Sequence, residues 1–335
     1  MQQVPRFGYY GAMKKAAQFR SLLNRSIRTF FDEKGYLEVE TPSLSPDLIP
    51  EPTIENFATR FENEFVGSSD LYLIPSPEVY MKKLIAQDFG SIYQIGHCFR
   101  NSEQIGRHHN PEFSMLEYYS VGMDEQDSIA LTEELFAHLD CPDHLKPPFA
   151  RLTVSEAMWR YAQVDLDKNQ NQRSLAQEGR RLGLSVPDKP ESWEDTFNRI
   201  FLTLVEPNLP QERPLVLDRY PAQIDCLAKR EGNYRRRWEM YAGGVEIANC
   251  YDEETDKEKV SAYYRKQYAI LIQERADRGG VIPDADPDFA NIFTNFPQCS
   301  GVALGLDRLQ MLLMGESSLM GVILFPFTGT ISSRK

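Results

Sequence analysis

Several common features are missing from this 335-residue chain. No apolar run reaches the roughly 20 residues that a membrane-spanning helix needs. The opening residues, MQQVPRFGYYGAMKK, hold no apolar core of the signal-peptide kind. Basic residues are in the minority: 37 Lys and Arg face 49 Asp and Glu, for a formal charge of −12. That balance argues against a general nucleic-acid binder, which carries a basic face, but leaves room for a local arginine cluster. Cysteine is sparse and irregular. Cys98, Cys141, Cys226, Cys250 and Cys299 are odd in number and show no C-x-x-C spacing. They predict free thiols in a reducing compartment, with no disulfide framework and no zinc site. There is no G-x-x-x-x-G-K-[ST] and no strand-linked G-x-G-x-x-G, so any nucleotide is bound without a Walker or Rossmann loop. Repeats and low-complexity tracts are absent. The expectation is a cytoplasmic protein.

What is present reads as an α+β protein. Phe19, Leu22, Leu23, Ile27, Phe30 and Phe31 recur at helical spacing over residues 12–34. Gly35 ends that helix, and residues 36–41 (YLEVET) alternate as a strand stopped by Pro42. A hairpin is expected over 57–66 and 71–74. Ser76 before Pro77 predicts an N-cap with proline at the first helical position, opening a helix to about residue 88. Further helices are expected over 124–139, over 153–161 with Thr153 and Glu156 as a capping box, and over 255–275 with Thr255 and Glu258 as another. Residues 286–296 read as helical too. Strands are expected at 215–220, at 238–241 and 244–248 around the Gly243-Gly244 turn, and at 301–306, which runs into a helix at 309–314. Residues 150–210 carry no recognisable chemistry and read as a helical insertion within a single domain spanning 1–335. Helices mixed with antiparallel pairs, without βαβ alternation, predict an antiparallel sheet flanked by helices.

The stretch 96–119 (GHCFRNSEQIGRHHNPEFSMLEYY) stands out. Two strands, 91–99 and 113–119, flank a loop holding Arg100, Arg107, His108, His109 and Asn110. A guanidinium at the root of a hairpin pairs two phosphate oxygens at once, so the arrangement suits a polyphosphate. A solvated charged loop accounts for it equally well when it is taken alone.

Three segments follow in order: the helix with Gly35 and YLEVETP, Phe99-Arg100 with its hairpin, and GVALGLDRL with Arg308. Together with "FRN…HNPEF" and "VEIAN…E" they resemble the three motifs of class II aminoacyl-tRNA synthetases, most closely the lysyl type. The resemblance covers nearly the whole chain. It implies a catalytic domain that binds ATP on an antiparallel sheet. Arg100 would hold the α-phosphate and Arg308 the γ-phosphate. Phe113 and Arg308 would sandwich the adenine, and His109 and Asn110 would reach the phosphate and adenine sides. Asn101, Ser102, Glu103, Ile247 and Gly305 fall at further nucleotide-binding positions, and Glu239 and Glu246 match those that hold Mg2+. Ser76, Glu78, Glu117, Tyr119, Asn249, Glu253 and Ala303 occupy the amino-acid pocket, which is acidic because the substrate carries two ammonium groups. Glu117 and Tyr119, two apart in a strand, point to one face. Without the resemblance, Ser76 and Glu78 are explained as a helix start and Glu239 as a solvated strand residue.

The first motif begins about a dozen residues in, so the anticodon-binding barrel of a lysyl-tRNA synthetase is not expected ahead of it. In this the chain resembles the truncated paralogues that act on elongation factor P, the (R)-β-lysine ligases. Ala303 agrees with them, where the synthetases have glycine. The resemblance implies activation of (R)-β-lysine or lysine as an adenylate and transfer to a lysine side chain of elongation factor P. It also implies a homodimer formed through the first motif and no role for tRNA. A different acceptor (tRNA, another protein or a small amine) and a non-catalytic binding subunit are the alternatives. Two departures stand out. Phe99-Arg100-Asn101-Ser102-Glu103 replaces Phe-Arg-Asn-Glu with a loop one residue longer, and Cys250 stands where glycine is usual. ATP affinity is the property these changes touch.

Overall fold

The computed structural model describes residues 6–102, 105–185 and 191–327. In chain order the elements begin with α1 (Arg6–Glu33), β1 (Leu37–Glu38), β2 (Leu44–Ser45), β3 (Ala58–Asn63), β4 (Gly67–Leu73), α2 (Glu78–Ile85), β5 (Ile92–Phe99) and β6 (Glu112–Val121). Then come α3 (Glu125–His138), β7 (Ala150–Thr153), α4 (Val154–Ala162), α5 (Gln172–Arg181), α6 (Trp193–Ile200), β8 (Leu215–Pro221), β9 (Arg230–Glu231), β10 (Tyr234–Ala242) and β11 (Val245–Asp252). The last elements are α7 (Lys257–Arg278), β12 (Cys299–Gly305) and α8 (Leu306–Leu313). The chain divides into two compact units. Residues up to Met123 and from Thr255 form one, and Asp124–Glu254 form the other.

In the first unit the strands run β1-β5-β6-β12, with β1 parallel to β5 and the other pairs antiparallel. A separate antiparallel sheet has the order β2-β4-β3. Period-2 alternation gives the main sheet two different faces. On one, Tyr93, Tyr118, Val302 and Leu304 are buried. Phe31 of α1 packs there, its ring 4.8 Å from that of Tyr93 and 5.0 Å from that of Tyr118. Burying Phe31 completely contributes roughly 1.5–3 kcal/mol. The α1 stripe expected at residues 12–34 is therefore core, and the helix itself begins earlier, at Arg6. The expected strand over 36–41 shortens to Leu37–Glu38. Beyond it, Val39 N still donates to Tyr93 O (2.8 Å), but Thr41 N donates to the Gln94 side chain (3.1 Å), which breaks the ladder.

The second unit has the strand order β11-β10-β8-β7, with β9 on β10. β7 runs parallel to β8 and the remaining pairs are antiparallel. The weakly periodic stretch before β8 folds as α4, α5 and α6. Val154, Met158, Leu175, Phe197 and Ile200 pack there with Leu215 and Leu217 of β8. Trp193, Phe197 and Phe201 stack in sequence at 5.3 and 5.6 Å.

Caps explain where helices start. Thr153 and Glu156 form the expected box on α4. On α7 the N-cap is Asp256, not Thr255: its carboxylate accepts from Glu258 N (2.9 Å) and Lys259 N (3.1 Å). Ser76 is not the cap of α2. Pro77 holds that position without a side-chain cap, and Ser76 Oγ lies 3.4 Å from Glu78 N. Of the expected helix at 286–296, only Phe289–Asn295 winds, and it does so as a 3-10 helix. Among the described residues no helix is long and apolar enough to cross a membrane.

Candidate active site

The face of β5, β6 and β12 opposite the α1 core carries the polar groups of the first unit. In register, Gln94 and Ala303 flank Glu117, while Ile92 and Gly301 flank Tyr119. Directly opposed residues of an antiparallel pair share a face, so the Ala303 methyl sits beside Glu117. Gly96, Gly301 and Gly305 add no side chains, and the floor stays low around the acidic group. Tyr119 OH donates to Glu117 Oε1 at 3.1 Å, and Glu117 is 3 % exposed. A phenol that fixes a buried carboxylate leaves it one orientation, which suits directional recognition of an ammonium. Burial and the neighbouring Glu117 push the Cys98 thiol, on the same face, well up, so it is inert.

Glu78, in the first turn of α2, reaches back along its own helix. Lys82 Nζ is 2.5 Å from Glu78 Oε1, and the Lys82 side chain is fully buried. The i,i+4 spacing brings them together, and a buried ammonium requires such a partner. Lys82 is a residue the sequence reading missed; its signal was the E-x-x-x-K pattern in an apolar helix.

The arginines are each held by a local contact. The Arg100 guanidinium lies 5.3 Å from the centre of the Phe113 ring, and Arg100 N donates to Pro111 O (2.9 Å). Phe113 thus faces Arg100. Arg308 Nε donates to His108 O at 3.0 Å, which ties α8 to the hairpin loop. The preceding Asp307 is 5 % exposed; it accepts from Ser114 N (2.8 Å) and pairs with Arg20 of α1. Arg20 also bonds Gln310 (2.5 Å). Arg20 and Asp307 are further residues that the sequence reading missed, because they are far apart in the chain.

The loop residues have backbone duties. Asn110 Nδ2 donates to Glu112 O (2.5 Å), and its Oδ1 accepts from Phe327 N (2.9 Å). Asn101 pairs with Glu55 through a backbone bridge, and its side chain accepts from Ser102 N (2.9 Å). Ser102 has φ 54°, a left-handed conformation that costs a side chain of order 1 kcal/mol. The chain turns there, where the extra residue was inferred. Glu103 lies outside the described residues. His109 is half-buried beside Asn110.

In the second unit the β10–β11 hairpin carries its own cluster. Glu239 opposes Asn249, and Glu246 opposes Tyr241. Ile247 is the extra residue of a bulge between Met240 and Tyr241. The bulge keeps Glu239, Tyr241, Glu246 and Asn249 on one face. Glu239 Oε2 accepts from Tyr220 OH (2.5 Å) and Tyr241 OH (3.0 Å), and Oε1 accepts from Arg237 (2.5 Å). Arg237 stands 4.5 Å over the Tyr220 ring and 5.4 Å from that of Tyr251. Glu239 is 8 % exposed, so the alternative of a solvated strand residue is wrong. Glu253 is buried, with a backbone bridge to Ala228. Cys250 is buried 3.1 Å from Ser128 Oγ, and Trp238 Nε1 donates to the same hydroxyl (3.0 Å). Burial pushes its thiol far up. The cysteine in place of glycine is therefore absorbed by the core.

Magnesium takes hard oxygens and asks for one or two carboxylates, with phosphate oxygens and water completing its shell. Glu239 and Glu246 fit that demand. Glu239 Oε1 accepts only the Arg237 bond, and Asn249 Oδ1 is a buried acceptor with no donor, among the described residues. No group of three or more His, Cys, Asp or Glu able to hold a metal occurs among them, so substrate oxygens would have to complete the shell.

Comparison with known proteins identifies the family. A family model described as "tRNA synthetases class II (D, K and N)" matches residues 9–329. An elongation factor P–(R)-β-lysine ligase of Yersinia enterocolitica is 35 % identical over 319 residues, 92 % of this chain and 93 % of the relative. Those of Proteus mirabilis and Vibrio cholerae are 35 % and 36 % identical over 315 residues each, covering 90 % and 92 % of this chain and 91 % and 94 % of theirs. With an α+β fold, a family match over nearly its whole length and relatives of this identity, the chain belongs to the class II tRNA synthetase family of the D, K and N type.

Proposed function

We propose that this chain uses ATP and Mg2+ to activate (R)-β-lysine, or lysine, as an aminoacyl-adenylate, and then transfers the acyl group to a lysine side chain of elongation factor P. The observation that carries the reading is the Tyr119–Glu117 bond on a floor of glycine and alanine, in the same unit as Arg100 and Arg308. A buried carboxylate fixed by a phenol recognises an ammonium, while the two arginines serve a polyphosphate. The names of the curated relatives support the acceptor.

In the first step a carboxylate oxygen of the amino acid attacks the α-phosphorus, and pyrophosphate leaves. Arg100 draws charge off the α-phosphate as the transition state forms, and its position over the Phe113 ring limits its motion. Arg308, held at Nε by His108 O, meets the γ-phosphate. Glu239 and Glu246 would hold magnesium, which would supply charge neutralisation to a bound polyphosphate. Asn249 and Glu253 are assigned to the amino acid by the family pattern, as are Ser76 and Glu78. In the second step the amine of the acceptor lysine attacks the acyl carbon, an amide forms, AMP leaves and the amine loses a proton. No covalent enzyme intermediate is needed; positioning and electrostatics carry the rate.

The reading includes a cytoplasmic homodimer that does not use tRNA as acceptor; sedimentation as a monomer refutes the dimer. The central test is amino-acid-dependent ATP–pyrophosphate exchange with α-lysine and (R)-β-lysine. Exchange with neither sinks the proposal. Incubation with elongation factor P and ATP is then expected to add one lysyl mass; exchange without that gain points to another acceptor.

A further inference from the structure

One buried hydroxyl of the first unit is unexplained by packing. Tyr264 of α7 is 8 % exposed, and its OH makes no hydrogen bond among the described residues. Such groups are rare in folded proteins and ask for a ligand or a water. The ring alone satisfies the core: it stacks on Phe289 with centroids 4.9 Å apart, and Phe289 packs on Phe293 at 5.6 Å. Phenylalanine would fill the same slot.

Four carboxylates act on the Tyr264 hydroxyl, Glu78 most strongly, then Asp286, Asp47 and Glu51. Two of them have lysine partners, Lys82 at 2.5 Å from Glu78 and Lys83 at 2.9 Å from Asp286. The hydroxyl donates to none of the four. Its oxygen is an idle acceptor in an acidic surrounding, which repels anions and favours a group that is both cationic and rich in N–H donors. A primary ammonium has those properties. Glu78 is also a residue of the amino-acid pocket assigned above, so this inference rests on that reading.

We propose that Tyr264 reads the substrate: its hydroxyl oxygen accepts a hydrogen bond from the primary ammonium that binds beside Glu78, and so helps to set which carbon of the amino acid bears that ammonium. The ammonium satisfies the orphaned oxygen, and the oxygen replaces one of the waters that the ammonium gives up.

Tyr264→Phe removes one oxygen and keeps the stacked ring. Calorimetric titration with α-lysine and with (R)-β-lysine, alongside pyrophosphate exchange, provides the test. The variant is expected to bind the preferred amino acid about tenfold more weakly, roughly 1.4 kcal/mol. Its KM for ATP stays within about twofold, and the ratio of the two lysines changes. Affinity for each lysine unchanged from that of the unaltered protein, together with a raised melting temperature, overturns the proposal, because the oxygen is then only a buried group without a ligand; the activation reading survives that result through the exchange that remains. Absence of exchange in the unaltered protein with any amino acid fails the activation reading and takes this inference with it, so the two failures give different data.

Discussion

Replacing Glu78 by glutamine tests the pocket and the fold together. Lys82 has no exposed side-chain surface, and Glu78, its partner at 2.5 Å, has 17 %. Removing one charge of a buried pair weakens the compensation of the other, at up to about 3–5 kcal/mol. Glutamine keeps the shape and an acceptor oxygen, so the lower end, about 3 kcal/mol, applies. For a chain of 335 residues melting as one unit this lowers the melting temperature by roughly 4 °C. Adding Lys82→Met to Glu78→Gln is expected to restore most of the loss, because a neutral pair needs no counter-charge. Thermal denaturation at pH 7, followed by circular dichroism, measures all three proteins. A single variant that melts within 1 °C of the parent, or a double variant that melts below the single, refutes the claim that Lys82 is a buried cation that depends on Glu78. Amino-acid affinity for these variants is to be measured well below their melting range, where lost folding does not pass for lost binding.

Arg308→Ala is expected to abolish pyrophosphate exchange while the protein stays folded; near-normal exchange shows the phosphate assignment to be wrong. Ala303→Gly removes the methyl group beside Glu117, and the preference between α- and β-lysine should move by about 1–3 kcal/mol at most, read as the ratio of kcat/KM values; an unchanged ratio removes Ala303 from the pocket. Burial first, then Arg308 and Arg107, hold His108 below its ordinary pKa of about 6.5. The stability it contributes is whole above that value and is lost as pH falls through the lowered one. Melting curves between pH 7.5 and 4.5 should therefore converge for the parent and His108→Gln toward acid pH; a constant difference denies the shift.

Some local geometry of the candidate site was legible in the sequence because its signals are short-range. A strand's period of two puts Glu117 and Tyr119 on one face wherever the strand lies. The Thr153–Glu156 box spans one helical turn, and Gly243-Gly244 closes a hairpin whatever surrounds it. Other features fell short for equally local reasons. The capping signal near Thr255 was correct in kind, but Asp256 took the role, since adjacent residues compete for the same backbone donors. Alternation in YLEVET predicted a longer strand than β1, because the Gln94 side chain takes the Thr41 amide.

Sequence alone determined the class of fold and named the candidate site residues, because these depend on residue type and short spacing. Only the tertiary structure decided what each charge meets. It opposed Ala303 to Glu117 through strand register, bound Arg20 to Asp307, surrounded Glu239 with Tyr220, Tyr241 and Arg237, and buried Lys82 and the Tyr264 hydroxyl. Strand register, burial and pairs such as Arg20–Asp307 and Tyr220–Glu239 join elements distant in the chain, and no short window of residues contains both partners of those contacts.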